Sequence, residues 1–201
     1  MIRSEKEVDK AFDAPGLLEK LIDFEKEIAV IVARNERGEI CSYPAVEMVF
    51  HPTQNLVEYL FAPASISESI AKKADAIAKK LADKIQIVGL LAVEMFVTKQ
   101  DEVLVNEIAP RPHNSGHQTI EANATSQYEQ HLRAILNLPF GDTSIILPSA
   151  MVNLLGEDGN FYILEINTIP GLTSESLMPK AAKSAGINFN QFLEILLKSA
   201  K

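Results

Sequence analysis

Short apolar runs, some alternating at strand spacing and some recurring at helical spacing, organise this chain. Residues 27–34, EIAVIVAR, are almost unbroken in apolar character. The turn Asn35-Glu36-Arg37-Gly38 follows, and residues 39–43 are expected to pair back as a hairpin. Residues 46–50 and 56–61 give two further extended runs whose imperfect alternation suits edge strands. Ahead of them, residues 17–22 read as another strand. Before that comes a short helix opened by the capping box Ser4-Glu5-Lys6-Glu7 and stopped at Pro15-Gly16. Residues 67–83 are amphipathic, with Ile70, Ala74, Ile77, Ala78 and Leu81 on one stripe and Lys72, Lys73, Lys79, Lys80 and Lys84 mostly off it. Those lysines read as a solvated face. A second helix is expected over 124–137, with Tyr128, Leu132, Ile135 and Leu136 inward. Two strands, 149–155 and 161–167, surround the turn Gly156-Glu157-Asp158-Gly159. Two helices close the chain, 178–185 and 189–199, with Gly186 as the break and Asn188 as the N-cap of the second.

The hairpin at residues 90–97 and 103–108, with its turn at 98–102, stands out because each strand carries one acid: Glu94 and Glu107. A carboxylate among apolar strand residues is costly unless a cation or donor meets it. Two acids on adjacent strands can converge on one hard cation, and Mg²⁺ takes one or two carboxylates together with phosphate oxygens. The alternative is a pair of solvent-facing glutamates on a half-exposed sheet. Past the second strand, Pro110, Arg111, His113, Asn114 and His117 crowd into one loop. The pattern echoes later. Asn106 and Glu107 end one apolar strand before a proline loop, and Glu165 and Asn167 end another in the same way. The chain thus holds two versions of one ion-holding arrangement.

Composition narrows the classes. The 201 residues, 47% of them hydrophobic, suffice for one domain with a sizeable core or for two small ones. A net charge of -8 argues against a nucleic-acid partner. A single cysteine, Cys41, rules out a disulfide framework within the chain and suits a buried or half-buried apolar role. No apolar run reaches membrane-spanning length, and the N-terminal MIRSEKEVDKAF lacks the apolar core of a signal peptide. The expected address is cytoplasmic, without a membrane partner.

Four segments carry a resemblance: Leu18-Glu19-Lys20-Leu21-Ile22-Asp23-Phe24-Glu25-Lys26-Glu27, Tyr43-Pro44-Ala45-Val46-Glu47, Val93-Glu94-Met95-Phe96-Val97-Thr98 and, above all, Asn106-Glu107-Ile108-Ala109-Pro110-Arg111-Pro112-His113-Asn114-Ser115-Gly116-His117. From residue 17 to about 158 the chain resembles the 5-(carboxyamino)imidazole ribonucleotide synthetases, ATP-grasp enzymes of purine synthesis. The resemblance implies ATP and Mg²⁺ as cofactors. It makes Glu94 and Glu107 the ion ligands and puts Asn106 beside the nucleotide. Glu19, Lys20, Leu21 and Ile22 would line the adenine, with Glu27 on the ribose. Arg111, His113 and Asn114 would face the aminoimidazole ribonucleotide and the carboxyphosphate intermediate. From residue 160 the chain instead resembles the end of the D-alanine–D-alanine ligases, through Phe161-Tyr162-Ile163-Leu164-Glu165-Ile166-Asn167-Thr168-Ile169-Pro170-Gly171-Leu172-Thr173-Ser174-Glu175-Ser176-Leu177. There Glu165 and Asn167 would bind metal and Ser176 the substrate carboxylate.

The nucleotide-fold domain, the Gly-rich phosphate loop and the lid lysines of the synthetases have no counterpart in this sequence, and the joint between the two resemblances falls at 156–160. The expectation is therefore a hybrid or truncated ATP-grasp domain, inactive alone, with deliberate recombination of two related halves favoured over a natural two-parent gene. The alternatives are an active carbon–nitrogen ligase, or a nucleotide-binding or Mg²⁺-binding module that dimerises through the face the missing domains once covered. The expected fold is α+β: a single domain over 1–201, with a mainly antiparallel sheet, helices packed on one face and the 149–167 hairpin joined to that sheet.

Overall fold

The computed structural model describes residues 6, 14, 16, 19–50, 57–152, 183, 188–191 and 193–194. The helix expected over 4–12 lies, apart from Lys6, outside the described residues. So do the 161–167 strand and the 178–185 helix, the latter apart from Lys183.

The sheet is built around β1, Phe24–Arg34, whose last seven residues are buried without a break. An unbroken buried run means that both faces of the strand are covered. β1 has antiparallel neighbours on both sides. β2, Ile40–Ser42, and β3, Val46–Phe50, share one side. β5, Gly89–Thr98, runs the length of the other. With β4, Val57–Ala62, β6, Val103–Ala109, and β7, Ser149–Val152, the order is β6-β5-β1-β3-β4-β7, seven strands among the described residues once β2 is included. The 46–50 and 56–61 runs are therefore interior strands, not edges. Their irregular alternation has a visible source in the register shift between Val49 and Phe50. The 17–22 strand is also corrected, because residues 19–23 carry no strand and β1 begins only at Phe24.

α1, Glu68–Lys84, is N-capped by Ser67, whose side chain accepts from the Ile70 N–H. Its Ile70, Ala74, Ala78 and Ala82 pack on Ile28, Val30 and Val32 of β1 and on Leu91, Val93, Met95 and Val97 of β5. Burying an aliphatic side chain of this kind contributes roughly 1.5–3 kcal/mol. The lysine face is solvated as expected, with Lys72 and Lys79 in exposed or half-exposed pairs with Glu68 and Asp75. On the opposite face, Ile31, Ala33, Leu90 and Ala92 pack against Ala134 of α3, Gln127–Ile135. The helices thus divide between the two faces instead of sharing one, because β1 and β5 are apolar on both sides.

α3 also corrects the expected inward set. Tyr128, Leu132, Ile135 and Leu136 are exposed, while Gln127, Gln130 and Ala134 are buried. The helix starts later than expected, with Ser126 as its N-cap, and a separate turn of helix, α2, Thr119–Ala122, precedes it. The polar inward face is satisfied by two carboxamide clamps. Gln127 bonds the backbone N–H and C=O of His113. Gln130 bonds those of Gly141.

β7 pairs antiparallel with β4, so the first strand of the expected 149–167 hairpin does join the sheet. Near the C-terminus, Asn188 Oδ1 accepts from the Gln191 N–H at 3.0 Å, and the Gln191 carboxamide accepts from the Asn188 N–H at 3.1 Å, a reciprocal helix cap.

Candidate functional site

The acid pair owes its geometry to one extra residue. Along β5, Leu91, Val93, Met95 and Val97 face α1, so alternation turns Leu90, Ala92 and Glu94 to the other side. β6 pairs with β5 in simple register from Val97↔Val103 to Met95↔Val105, after which the register shifts. Asn106 is the inserted residue, and pairing resumes at Glu94↔Glu107. In an unshifted ladder Asn106 would oppose Glu94, and Glu107 would point to the α1 face. The bulge re-aims the strand, a use of bulges common near functional sites. Asn106 and Glu107 are exposed, while Glu94 is only 8% exposed.

The loop after β6 folds over this pair. His113 is buried, with its Nε2 3.4 Å from Glu94 Oε1. The Ser115 N–H lies 3.4 Å from His113 Nδ1, and the Ser115 hydroxyl lies 2.8 Å from the same atom. A ring nitrogen accepting at Nδ1 carries its proton on Nε2, toward Glu94. Ligand atoms of Glu94, Glu107 and His113 all lie within 4.8 Å of one another, which makes them the candidate metal ligands among the described residues.

Burial, followed by the charges of Glu107 and Glu27, raises the Glu94 carboxyl to about 7, partly opposed by Arg111. Burial, then Arg111 and His117, lowers the His113 imidazole to about 4. The contact between them at neutral pH is therefore no ion pair. It is a half-charged carboxyl against a neutral ring. A bound divalent cation would supply the positive charge this carboxyl lacks. Two carboxylates and open positions for phosphate oxygen and water suit Mg²⁺, and the imidazole widens the set toward Mn²⁺.

The remaining candidates distribute as follows. Glu27 shares the Glu94 face, since Ala29 opposes Glu94 and Glu27 opposes Phe96, and burial raises its carboxyl. Glu19, Lys20 and Leu21 are exposed and Ile22 half-buried in the segment that leads into β1. The Asp23–Lys99 pair at 3.0 Å ties that lead to the hairpin turn. Arg111 is half-buried, with one guanidinium nitrogen on the Pro112 carbonyl at 3.0 Å. Asn114 Oδ1 is buried without a hydrogen-bond partner. Glu165, Asn167 and Ser176 lie outside the described residues. Cys41 is half-buried, and burial raises its thiol to about 11, as an inert apolar role requires.

Sequence reasoning missed Gln127. Its signal was present, because positions 127, 130 and 134 share one helical stripe, but two glutamines there read as a solvent face.

Residues 1–128 match the family model of the ATP-grasp domain, and residues 149–198 match that of the D-ala D-ala ligase C-terminus. The chain belongs to the ATP-grasp family. Within it, the chain is similar to the N5-carboxyaminoimidazole ribonucleotide synthase of Bacillus subtilis (strain 168), at 48% identity over 142 residues, 71% of this chain and 37% of that protein. The crystal structure of the Thermotoga maritima synthetase shares 52% identity at a TM-score of 0.71, over 79% of this chain and 42% of that one. The Aspergillus clavatus enzyme, solved with ADP and 5-aminoimidazole ribonucleotide, shares 42% at a TM-score of 0.64, over 69% of this chain and 37% of that one. The chain therefore spans well under half the length of these relatives.

Proposed function

We propose that this chain supplies the cation- and nucleotide-binding floor of an ATP-dependent ligase that carboxylates 5-aminoimidazole ribonucleotide. The observation that carries the reading is the register-paired Glu94 and Glu107, brought to one face by the Asn106 bulge and roofed by His113. Complexes of relatives with ADP and 5-aminoimidazole ribonucleotide support the choice of ligands.

Glu94, Glu107 and His113 fit a divalent cation, which when bound would neutralise charge on the nucleotide phosphates. Glu27 is the ribose contact in this reading, and Glu19 to Ile22 the adenine edge. Arg111 is the cation for a phosphate or carboxyphosphate oxygen, because its planar fork matches such anions. His113, neutral at pH 7, adds no charge: without a cation its Nε2 proton faces Glu94, and with a cation on Nε2 the ring proton would sit on Nδ1, facing the Ser115 hydroxyl at 2.8 Å. Asn114 offers the acceptor that the protein leaves unpaired. Glu165, Asn167 and Ser176 form the second ligand set, a reading supported by the match of 149–198 to the ligase C-terminus.

The chain alone is proposed to bind without turnover. Catalysis of phosphoryl transfer needs cations placed over the transferring group as well as an acidic floor. Among the described residues, Lys26 pairs instead with Glu47, at 3.0 Å. A hybrid of two related halves is the proposed origin of the chain.

The test is a thermal melt of the full chain with a nonhydrolysable ATP analogue, with and without Mg²⁺. A rise in Tm that needs both supports the reading, and loss of that rise in the E94Q/E107Q double variant locates it. No magnesium-dependent rise in the unmutated chain sinks it. With ATP in place of the analogue, ADP release on adding 5-aminoimidazole ribonucleotide and bicarbonate would show turnover and overturn inactivity alone.

A further inference from the structure

We propose that Gln127, on α3, is the positioning residue of the cation site, holding His113 over Glu94 and Glu107. This rests on the cation-binding reading above and adds to it the part of the molecule that sets the geometry. His113 caps the helical turn Asn114–Gly116, whose Gly116 N–H also donates to its carbonyl at 3.0 Å, and its ring reaches toward Glu94. Its backbone is fixed from the far side. The Gln127 carboxamide oxygen accepts the His113 N–H at 2.9 Å, and the carboxamide nitrogen donates to the His113 carbonyl at 2.7 Å. Both bonds are made by a side chain with no exposure to solvent. Two bonds to one residue fix orientation as well as place, in the manner of a pair of peptide groups.

The clamp is itself braced. The Gln127 N–H donates to Thr119 Oγ1 at 2.8 Å, and that hydroxyl donates to the Gly116 carbonyl at 2.5 Å. Gly116 is required for steric reasons. A Cβ there would lie 2.7 Å from Gln127 Cδ and Oε1 and would collide with Ile31 Cδ1. The loop thus leaves a slot through which the carboxamide passes, and α3 turns its polar side inward to fill it. Partners that orient a metal-site residue through its outer contacts commonly change affinity 10- to 100-fold when removed.

Gln130 provides the matched control. It is equally buried and grips Gly141 N and O, both at 2.9 Å, in a different loop. The experiment measures Mn²⁺ binding to the full chain by electron paramagnetic resonance, alongside thermal melts, for the unmutated chain, Q127M and Q130M. Both variants should lose comparable stability, while Mn²⁺ affinity falls at least tenfold in Q127M and stays within about twofold in Q130M. Equal losses of affinity in the two variants, or none in Q127M, overturn the positioning role. Failure of the unmutated chain to bind Mn²⁺ overturns the cation reading itself, and that result is seen before any substitution is compared. Should Q127M not melt cooperatively, Q127E replaces it. It keeps one clamp bond and adds a negative charge, so electrostatics alone would raise cation affinity, whereas loss of positioning lowers it. A fall supports the proposal, and a rise or no change overturns it.

Discussion

Replacing Glu94 by Gln should stabilise the metal-free protein above neutral pH, although it deletes a buried charge. The Glu94 carboxyl rises from 4.5 to about 7 on folding, chiefly through burial. The folded state therefore binds more protons than the unfolded state between those values, and stability falls as pH rises through the window. Above pH 7 the full penalty applies, about 3 kcal/mol at 1.36 kcal/mol per pKa unit. His113 works in the opposite sense. Its imidazole falls from 6.5 to about 4, so the folded state binds fewer protons there and stability rises with pH across that window. In the unmutated protein the two slopes nearly cancel between about pH 4.5 and 6.5. E94Q removes the falling slope. Stability should then climb from about pH 4 to 6.5 and stay level beyond. At pH 8 in EDTA the variant should exceed the unmutated protein by roughly 2 kcal/mol, once about 1 kcal/mol is allowed for burying the amide. For a chain of this size that is a Tm gain of about 4–8 °C. Millimolar Mg²⁺ should narrow the gap, since a cation that binds only the unmutated folded state stabilises only that protein. Melts from pH 4 to 9, with EDTA and with Mg²⁺, measure all of this. An E94Q variant no more stable than the unmutated protein at pH 8 in EDTA would refute the claim that this carboxylate is buried without compensation.

Other expectations follow from the same structure. Leu91→Ala, at a fully buried position between the sheet and α1, should cost about 2–5 kcal/mol in denaturant melts. Leu132→Gln and Leu136→Gln, on the outward face of α3, should change stability by less than about 0.5 kcal/mol, the reverse of what helical periodicity suggests. Gly89→Ala should lose more than about 1 kcal/mol, because φ there is +118° and a Cβ would lie 2.9 Å from His131 Cε1. Ser126→Ala, which removes the N-cap of α3, should cost about 1 kcal/mol in the same assay.

Apolar periodicity was enough to reveal the sheet strands, α1 and the 89–109 hairpin, because local spacing and turn chemistry decide those elements. Glu94 and Glu107 were legible as chemistry for the same reason, since an acid inside an apolar run needs an explanation wherever it points. Tertiary structure alone decided where they point. Strict alternation over 103–109 sends Glu107 to the α1 face, and the Asn106 bulge reverses that, a register choice made by pairing with β5 and not by the composition of β6. α3 was misread for a related reason. Its apolar stripe is real, but the face a helix buries depends on what it meets, and α3 meets the backbone of two loops whose polar groups its two glutamines satisfy. Sequence could name the candidate acids. Only packing shows that a glutamine on the far helix holds His113 above them.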